Sequence, residues 1–148
     1  MINELKSFTF LAVLGAVSFG PAQAATVGAV AAEIKLGGDG FGSISSTYNQ
    51  DGLLSSYTSG VTNFDEFVKG TLHSNQFEAP PEENAEFTEW FSDRETTAAT
   101  VIYDLGIVRY INKMALWNED YSGIYSLNLF ISENGVDFTD LLSNLKPT

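Results

Sequence analysis

Apolar and polar residues alternate along the C-terminal part of the chain in a pattern that predicts β-strands. Residues 97–105 form a short apolar segment, and in residues 124–132 Leu127, Leu129 and Ile131 share one face while Asn128 and Phe130 lie on the other. A period of two residues is typical of a strand that buries one face. These two segments are therefore the strongest predicted strands.

Two further strands are predicted nearby. Residues 108–117 are strand-like, although the polar residues 112–113 interrupt the pattern, and residues 136–142 follow a turn signal. That signal is Asn134-Gly135, a pair that tolerates the positive φ angles of a type I′ turn. The pattern predicts a hairpin in which residues 136–142 return alongside residues 124–132.

The first half of the chain gives weaker signals. Residues 33–36 and 41–48 are predicted strands, and residues 64–72 contain a predicted helical turn, because apolar residues recur there at helical spacing. The sequence shows no heptad, no repeat and no long amphipathic helix. We therefore predict one all-β domain, built as an antiparallel β-sandwich.

Residues 75–84 are a predicted loop, because the Pro-Pro pair within them is excluded from the interior of a sheet. A dense aromatic group follows, and we predict that Phe87, Trp90 and Phe91 return the chain to the core. An exposed platform that stacks on sugar rings is the alternative for Trp90 and its neighbours.

The N-terminal residues have the pattern of an export signal. Residues 8–19 are uncharged and mostly apolar, Gly20 and Pro21 interrupt the run, and residues 22–24 have the small-x-small form of a signal peptidase site. The run is shorter than the roughly 20 residues of a membrane-spanning helix. We predict a leader over residues 1–24 and a mature domain over 25–148. A buried N-terminal helix is the alternative.

Composition narrows the choice of partner. The chain has 148 residues, no cysteine and a formal net charge of −12. Nucleic acid is excluded as a partner, because phosphates demand clustered Lys and Arg, and an anionic membrane is disfavoured for the same reason. Without cysteine there is no disulfide framework. We expect an exported bacterial protein that is secreted, periplasmic or on the cell surface. Its negative charge suits divalent cations, neutral sugars or a basic partner. The alternative is that the negative charge only keeps the protein soluble.

A succession of short motifs resembles the discoidin-like domain, also called the coagulation factor V/VIII C-type or galactose-binding-like domain. The closest likeness is to its variants in exported bacterial proteins with PEP-type sorting tails. No single motif is decisive, but their order agrees over residues 44–142. The matching motifs are residues 51–57 (DGLLSSY), 59–65 (SGVTNFD), 89–92 (EWFS), 103–106 (YDLG), 115–120 (ALWNED) and 132–138 (SENGVDF).

The resemblance implies a jelly-roll β-sandwich that binds ligands through loops at one end, often with a structural calcium ion, and that is rarely catalytic. It also implies that further strands follow the hairpin. This chain ends at Thr148, so we expect a domain over residues 25–148 that lacks its C-terminal strands and exposes strand edges.

Two turns are candidate calcium sites. Asp51 lies in a turn of amides and carbonyls, where the resemblance places a calcium loop, and Asp39 lies among glycines. Calcium prefers six to eight such oxygen ligands. The alternative for each is a turn aspartate that hydrogen-bonds its own backbone.

The candidate ligand site is the loop that contains Trp117, Asn118, Glu119 and Asp120. The adjacent carboxylates suit a cation or sugar hydroxyls, and Trp117 either stacks on a sugar ring or fills the core beneath the loop. The alternative for Glu119 and Asp120 is an ordinary solvated loop.

Catalysis has little support. Carboxylates are so abundant that a glycosidase-like pair is easily found by chance. His73 is the single histidine, which argues against zinc and favours a surface loop residue, and no Gly-x-Ser-x-Gly motif accompanies it. We predict a non-catalytic module that binds glycan or extracellular matrix material. The alternatives are a structural surface or matrix protein without a small ligand, and an inert gene fragment.

Overall fold

The computed structural model describes residues 7–13, 24–73, 88–118 and 123–147. These residues form seven strands, one short α-helix and one 3₁₀-helix, so the predicted all-β class is confirmed. The elements are β1 (Ser7–Val13), β2 (Ala31–Leu36), β3 (Phe41–Gly42), the 3₁₀-helix (Ile44–Thr47), α1 (Phe64–Gly70), β4 (Trp90–Phe91), β5 (Ala98–Asp104), β6 (Ser126–Ser132) and β7 (Thr139–Leu145).

The strands form two sheets. The larger has five strands in the order β2-β5-β1-β6-β7, and the smaller pairs β3 with β4. β2 is antiparallel to β5 and β7 is antiparallel to β6, whereas β1 is parallel to both of its neighbours. The larger sheet is therefore mixed, not antiparallel throughout as the sequence analysis predicted.

The central strand β1 lies within the predicted leader. Ser7 pairs with Ala98 on one side and with Ser126 on the other. A short, uncharged, apolar run fits both the core of an export signal and the central strand of a sheet, so its composition does not separate the two. Removal of residues 1–24 stays a prediction.

The main core lies on one face of the central strands. Burial alternates along β5 and, as the sequence predicted, along the first half of β6, and Val101 is fully buried at 0% exposure. Asn128 and Phe130, on the opposite face of β6, are half-buried. The buried apolar residues of this region are Ala99, Val101, Tyr103, Leu105, Leu127 and Leu129.

The predicted strand over residues 41–48 is only partly correct. β3 ends at Gly42, and Ser43 then caps the 3₁₀-helix, because its hydroxyl accepts a hydrogen bond from the amide of Ser45. Serine competes in this way with a strand ladder. The turn places Tyr48 edge-on to Tyr103, with ring centroids 6.4 Å apart.

The predicted strand over residues 108–117 is wrong. Residues 110–118 have no regular secondary structure, and large apolar side chains along this segment, such as Tyr110 and Leu116, are exposed. Lys113, one of the two polar residues that interrupt the apolar pattern, bonds both carboxylate oxygens of Asp65 at 2.7 and 2.8 Å. The polar interruption therefore marks an extended surface segment instead of a strand.

The hairpin of β6 and β7 is confirmed, but its turn differs from the prediction. Gly135 has a φ of +73°, whereas Asn134 is not in the left-handed region, so the turn is not type I′. The side-chain oxygen of Asn134 instead accepts from the amides of Val136 and Asp137 at 2.9 Å. The return strand consequently begins at Thr139 and not at residue 136.

The predicted helical turn is confirmed as α1. The side chain of Asn63 accepts from the amide of Glu66 at 3.0 Å and caps the helix, and Lys69 in the last turn suits the helix dipole. Phe67 is the buried residue of the helix, and its ring packs edge-on against Tyr57 and Trp117 at centroid distances of 5.1 and 6.0 Å. These three rings form a second, aromatic core.

Candidate functional site

Trp117 belongs to the aromatic core. Its indole is half-buried against Phe67, and its Nε1 donates a hydrogen bond to the carbonyl oxygen of Thr71 at 3.3 Å. The polar edge of the indole is therefore used by the fold, because a buried Trp N–H requires an acceptor. Only the exposed part of the ring remains for a ligand.

Asn118 closes the loop that follows. Its amide group donates to the carbonyl oxygen of Ile124 at 3.1 Å and accepts from the amide of the same residue at 2.6 Å. The Asn118 side chain thus bonds both backbone groups of Ile124, as a paired residue of an antiparallel strand would. Glu119 and Asp120, the carboxylates of the predicted ligand site, lie outside the described residues.

Asp51 lies in an exposed turn that is held by Asn49. The side-chain oxygen of Asn49 accepts from the amide of Asp51 at 2.9 Å, and the amide nitrogen of Asn49 donates to the Asp51 carboxylate. The side-chain oxygen of Gln50, whose φ is +73°, accepts from the amide of Tyr57 at 2.7 Å. The bond from the Asp51 amide to Asn49 is the ordinary bond of an Asx turn, and the Gln50 bond ties the turn to residue 57.

Asp39 lies in a different turn, at the entrance to β3. Its carbonyl oxygen accepts from Nε1 of Trp90 at 2.9 Å, while the neighbouring Gly40 amide donates to Asp93 at 2.8 Å. Trp90 and Phe91 form β4 and are half-buried, in keeping with their predicted return to the core. Phe87 lies outside the described residues.

Metal ligands are dispersed in the described ranges. Within residues 24–73, 88–118 and 123–147, no group of three or more His, Asp or Glu side chains is close enough to share an ion. Asp51 and Asp39 are each held by their own turn, so a calcium ion at either would need further oxygens from backbone, water or other parts of the chain.

His73 lies in a half-buried corner, not in the exposed loop that the sequence suggested. Residue 73 forms an isolated antiparallel bridge with Leu53, and Nδ1 of His73 lies 3.8 Å from a carboxylate oxygen of Glu89. A Cβ on Gly52 would lie 2.5 Å from His73 Nε2 and 2.9 Å from Cβ of Thr88. Glycine at position 52 therefore lets three segments meet.

We call Gly52, His73, Thr88 and Glu89 the histidine corner, and we include Thr71 because it lies two residues before His73 in the chain. It joins the Asp51 turn to Trp117, since Asp51 precedes Gly52 and the indole of Trp117 bonds the carbonyl of Thr71. The structure thus brings two of the predicted site regions together. The pairing of residue 53 with residue 73 brings these two regions together. No local sequence pattern predicts such a long-range contact.

Two hydroxyls in the histidine corner are buried without a protein partner. Thr71 is 4% exposed, and neither its Oγ1 nor that of Thr88 has a hydrogen-bond partner within the described part of the chain. Buried polar atoms are nearly always satisfied by protein, water or ligand. These hydroxyls therefore lack a partner among the described residues, and ordered water, or a ligand hydroxyl that enters when the corner opens, would satisfy them.

Burial also changes the pKa of a tyrosine in the aromatic core. Desolvation raises the pKa of Tyr57, whose ring packs on Phe67 in the aromatic core. Tyr57 therefore stays neutral throughout the physiological range and contributes an apolar ring with a neutral hydroxyl.

In the described ranges, no helix combines the length and apolar character needed to cross a bilayer.

Comparison of the chain with known protein families, with curated proteins and with solved structures found no match.

Proposed function

We propose that the chain is an exported, non-catalytic binding domain that recognises glycan or other extracellular matrix material through the histidine corner and the neighbouring loop of Trp117 and Asn118. The proposal includes removal of a leader over residues 1–24 and a discoidin-like jelly-roll arrangement of the sheets. The all-β class and the order of the sequence motifs support that arrangement.

The observation that carries the proposal is a pair of buried hydroxyls, those of Thr71 and Thr88, which have no hydrogen-bond partner among the described residues. Sugar hydroxyls both donate and accept, and a site that hydrogen-bonds a ligand hydroxyl discriminates strongly against ligands without one. His73 and Glu89 add a charged acceptor and a ring nitrogen nearby, at side-chain exposures of 19% and 24%. The half-buried face of Trp117 supplies an apolar border.

Calcium is proposed as a stabilising ion at the Asp51 turn, with Asp39 as the second candidate. The amide and carbonyl groups beside Asp51 are the oxygen-rich chemistry that calcium prefers. A thermal melt with calcium and with chelator tests this part alone. Calcium at about 100 times its dissociation constant adds roughly 2.7 kcal/mol to the free energy of unfolding, and Asp51→Asn should remove that gain.

The glycan proposal is tested with hydroxyl deletions of matched shape. The secreted protein is screened against immobilised glycans, and Thr88→Val and Thr71→Val are then compared with wild type. We expect weaker glycan binding with unchanged or improved stability, since an unpaired buried hydroxyl is removed. Thr26→Val is the control, because Thr26 Oγ1 is also buried without a partner in the described residues but lies outside the corner. Equal glycan binding by all three variants would contradict the proposal.

A structural role without a small ligand is the second candidate. Both tryptophans support it, because Nε1 of Trp90 and Nε1 of Trp117 each donate to a backbone carbonyl and so serve the fold. In that case Thr71→Val and Thr88→Val stabilise the protein, and no glycan binds to the wild type.

A further inference from the structure

We infer that β5 and β6 form a strand-binding slot at the position that β1 occupies in the sheet. In the exported form, the ligand of this slot is one extended, uncharged, apolar β-strand of a partner polypeptide, which lies parallel to both β5 and β6. The statement about the exported form rests on the proposed removal of the leader. The slot itself is a property of the sheet and does not depend on export.

The first argument is the position of β1. It pairs over five residues with β5 and over its whole length with β6, in one continuous parallel register. Phe10 is in register with Val101 and Leu129, both of which are buried. Removal of β1 leaves the backbone groups on the facing edges of β5 and β6 without hydrogen-bond partners, and these two strands carry most of the core. Unpaired backbone groups at such a position demand replacement.

The second argument concerns what can replace β1. Among the described residues after Ala24, β2 and β7 already form the outer edges of the sheet, and β3 is paired with β4. A second copy of the mature chain therefore offers no spare strand of this kind from these residues. An extended strand from another polypeptide supplies the missing ladder by β-strand addition, in which main-chain hydrogen bonds give affinity and alternate side chains give specificity.

The third argument defines the chemistry of that strand. In the present occupant, the positions in register with Ala99, Val101, Leu127 and Leu129 are Phe8 and Phe10, and Thr9 is in register with Thr100 and Asn128. The segment Ser7–Val13 contains no charged residue and no proline. The partner strand is therefore apolar at alternating positions, uncharged, free of proline and parallel to β5.

The experiment uses the full chain with a specific protease site placed within residues 15–22. The protein is purified uncut, cut under native conditions and passed through a sizing column. We expect the N-terminal fragment to stay bound and then to exchange for a labelled peptide of residues 6–14 added in excess. Hydrogen exchange should show the amides of β5 and β6 protected by the fragment or by the peptide.

Two peptides provide the matched controls. A Phe10→Pro peptide lacks one ladder donor and should bind about a hundredfold more weakly, whereas a Phe10→Leu peptide should bind nearly as well as the native sequence. If the cut protein precipitates when the fragment leaves, prevention by the native peptide but not by the proline peptide supports the slot.

Several outcomes overturn the inference. Release of the fragment from a remainder that keeps an unchanged cooperative melt and binds no peptide would mean that β5 and β6 close on each other or on another part of the chain. A dimer of the cut protein that excludes the peptide means that a second copy fills the slot. The N-terminus of the secreted protein is determined separately, so retention of Met1 contradicts the proposed leader without affecting the result on the cut chain.

Discussion

The hydroxyl of Tyr103 donates to Oγ1 of Thr47 at 2.8 Å and so joins β5 to the 3₁₀-helix. This is a contact between the most regular strand of the sheet and a turn that the sequence did not predict. Burial of Tyr103 raises the pKa of its phenol, the hydrogen bond with Thr47 opposes that rise, and the charge interaction with Tyr48 adds to it. The net direction is upward.

Alkaline pH should therefore destabilise the protein through Tyr103. Its folded-state pKa exceeds the unfolded value near 10, so the folded state favours the neutral phenol. The stabilisation is complete below the unfolded pKa and is lost as pH rises through the folded pKa. Tyr103→Phe should reduce this alkaline loss while it costs about 0.5–1.5 kcal/mol at neutral pH from the lost hydrogen bond. Denaturant melts across pH, with tyrosinate absorbance, measure both effects.

Tyr110→Phe is the control for that experiment, because Tyr110 is exposed. It should leave the pH dependence of stability as it is in the wild type. An alkaline stability loss in Tyr103→Phe equal to that of the wild type would show that other groups cause it.

Val101→Ala should be among the most damaging conservative substitutions in the sheet. Val101 is fully buried, and it is in register with Ile34 of β2 and with Phe10 of β1. Loss of two methyl groups and the resulting cavity should lower the free energy of unfolding by about 2–3 kcal/mol. Val136→Ala, at a position 77% exposed, should change it by less than about 0.5 kcal/mol. Urea melts of both variants provide the comparison.

Asn63→Ala should weaken α1 and the aromatic core that depends on it. The Asn63 side chain caps the helix through the amide of Glu66, and loss of such a cap costs about 1 kcal/mol. Because Phe67 lies in this helix against Trp117, we also expect tryptophan fluorescence to shift. Asn112→Ala, in the exposed segment, serves as the control. Equal stability of the two variants would contradict the capping role.

Gly42→Ala and Gly60→Ala separate steric contact from backbone conformation. Both glycines have a φ of +79°, but a Cβ on Gly42 would lie 1.9 Å from the carbonyl oxygen of Glu89, whereas one on Gly60 meets nothing within 4 Å. Gly60→Ala should cost about 1–2 kcal/mol for the left-handed conformation alone. Gly42→Ala should cost at least about 1 kcal/mol more, since β3 must move away from β4. Chemical denaturation and hydrogen exchange at Phe91 test this difference.

Local patterns predicted the parts of the fold that local forces decide. A short apolar segment located β5, alternation located β6 and helical spacing located α1, because each element buries a face that its own sequence defines. The side chains of Ser43 and Asn134 changed the expected strand and turn, since each bonds nearby backbone and so competes with regular structure. These bonds depend on local geometry that a hydrophobic pattern does not encode.

The candidate site was harder to predict for a different reason. Trp117 and Asp51 were identified by residue type, but their common neighbour, the histidine corner, arises from the pairing of Leu53 with His73. No sequence motif identifies Thr71 and Thr88. They differ from other threonines in that their hydroxyls are buried without a hydrogen-bond partner among the described residues. Long-range pairing decided which polar residues meet.

The placement of β1 also determines the order in which the sheet can form during synthesis. Ser7 leaves the ribosome first, yet its partners Ala98 and Ser126 are made only after most of the chain. Parallel pairing over such separations is slow, so the apolar segment stays accessible on the nascent chain for the whole of that interval. If residues 1–24 are the leader proposed above, folding into the sheet and capture by the secretion apparatus compete for the same segment, and the slow parallel pairing favours capture.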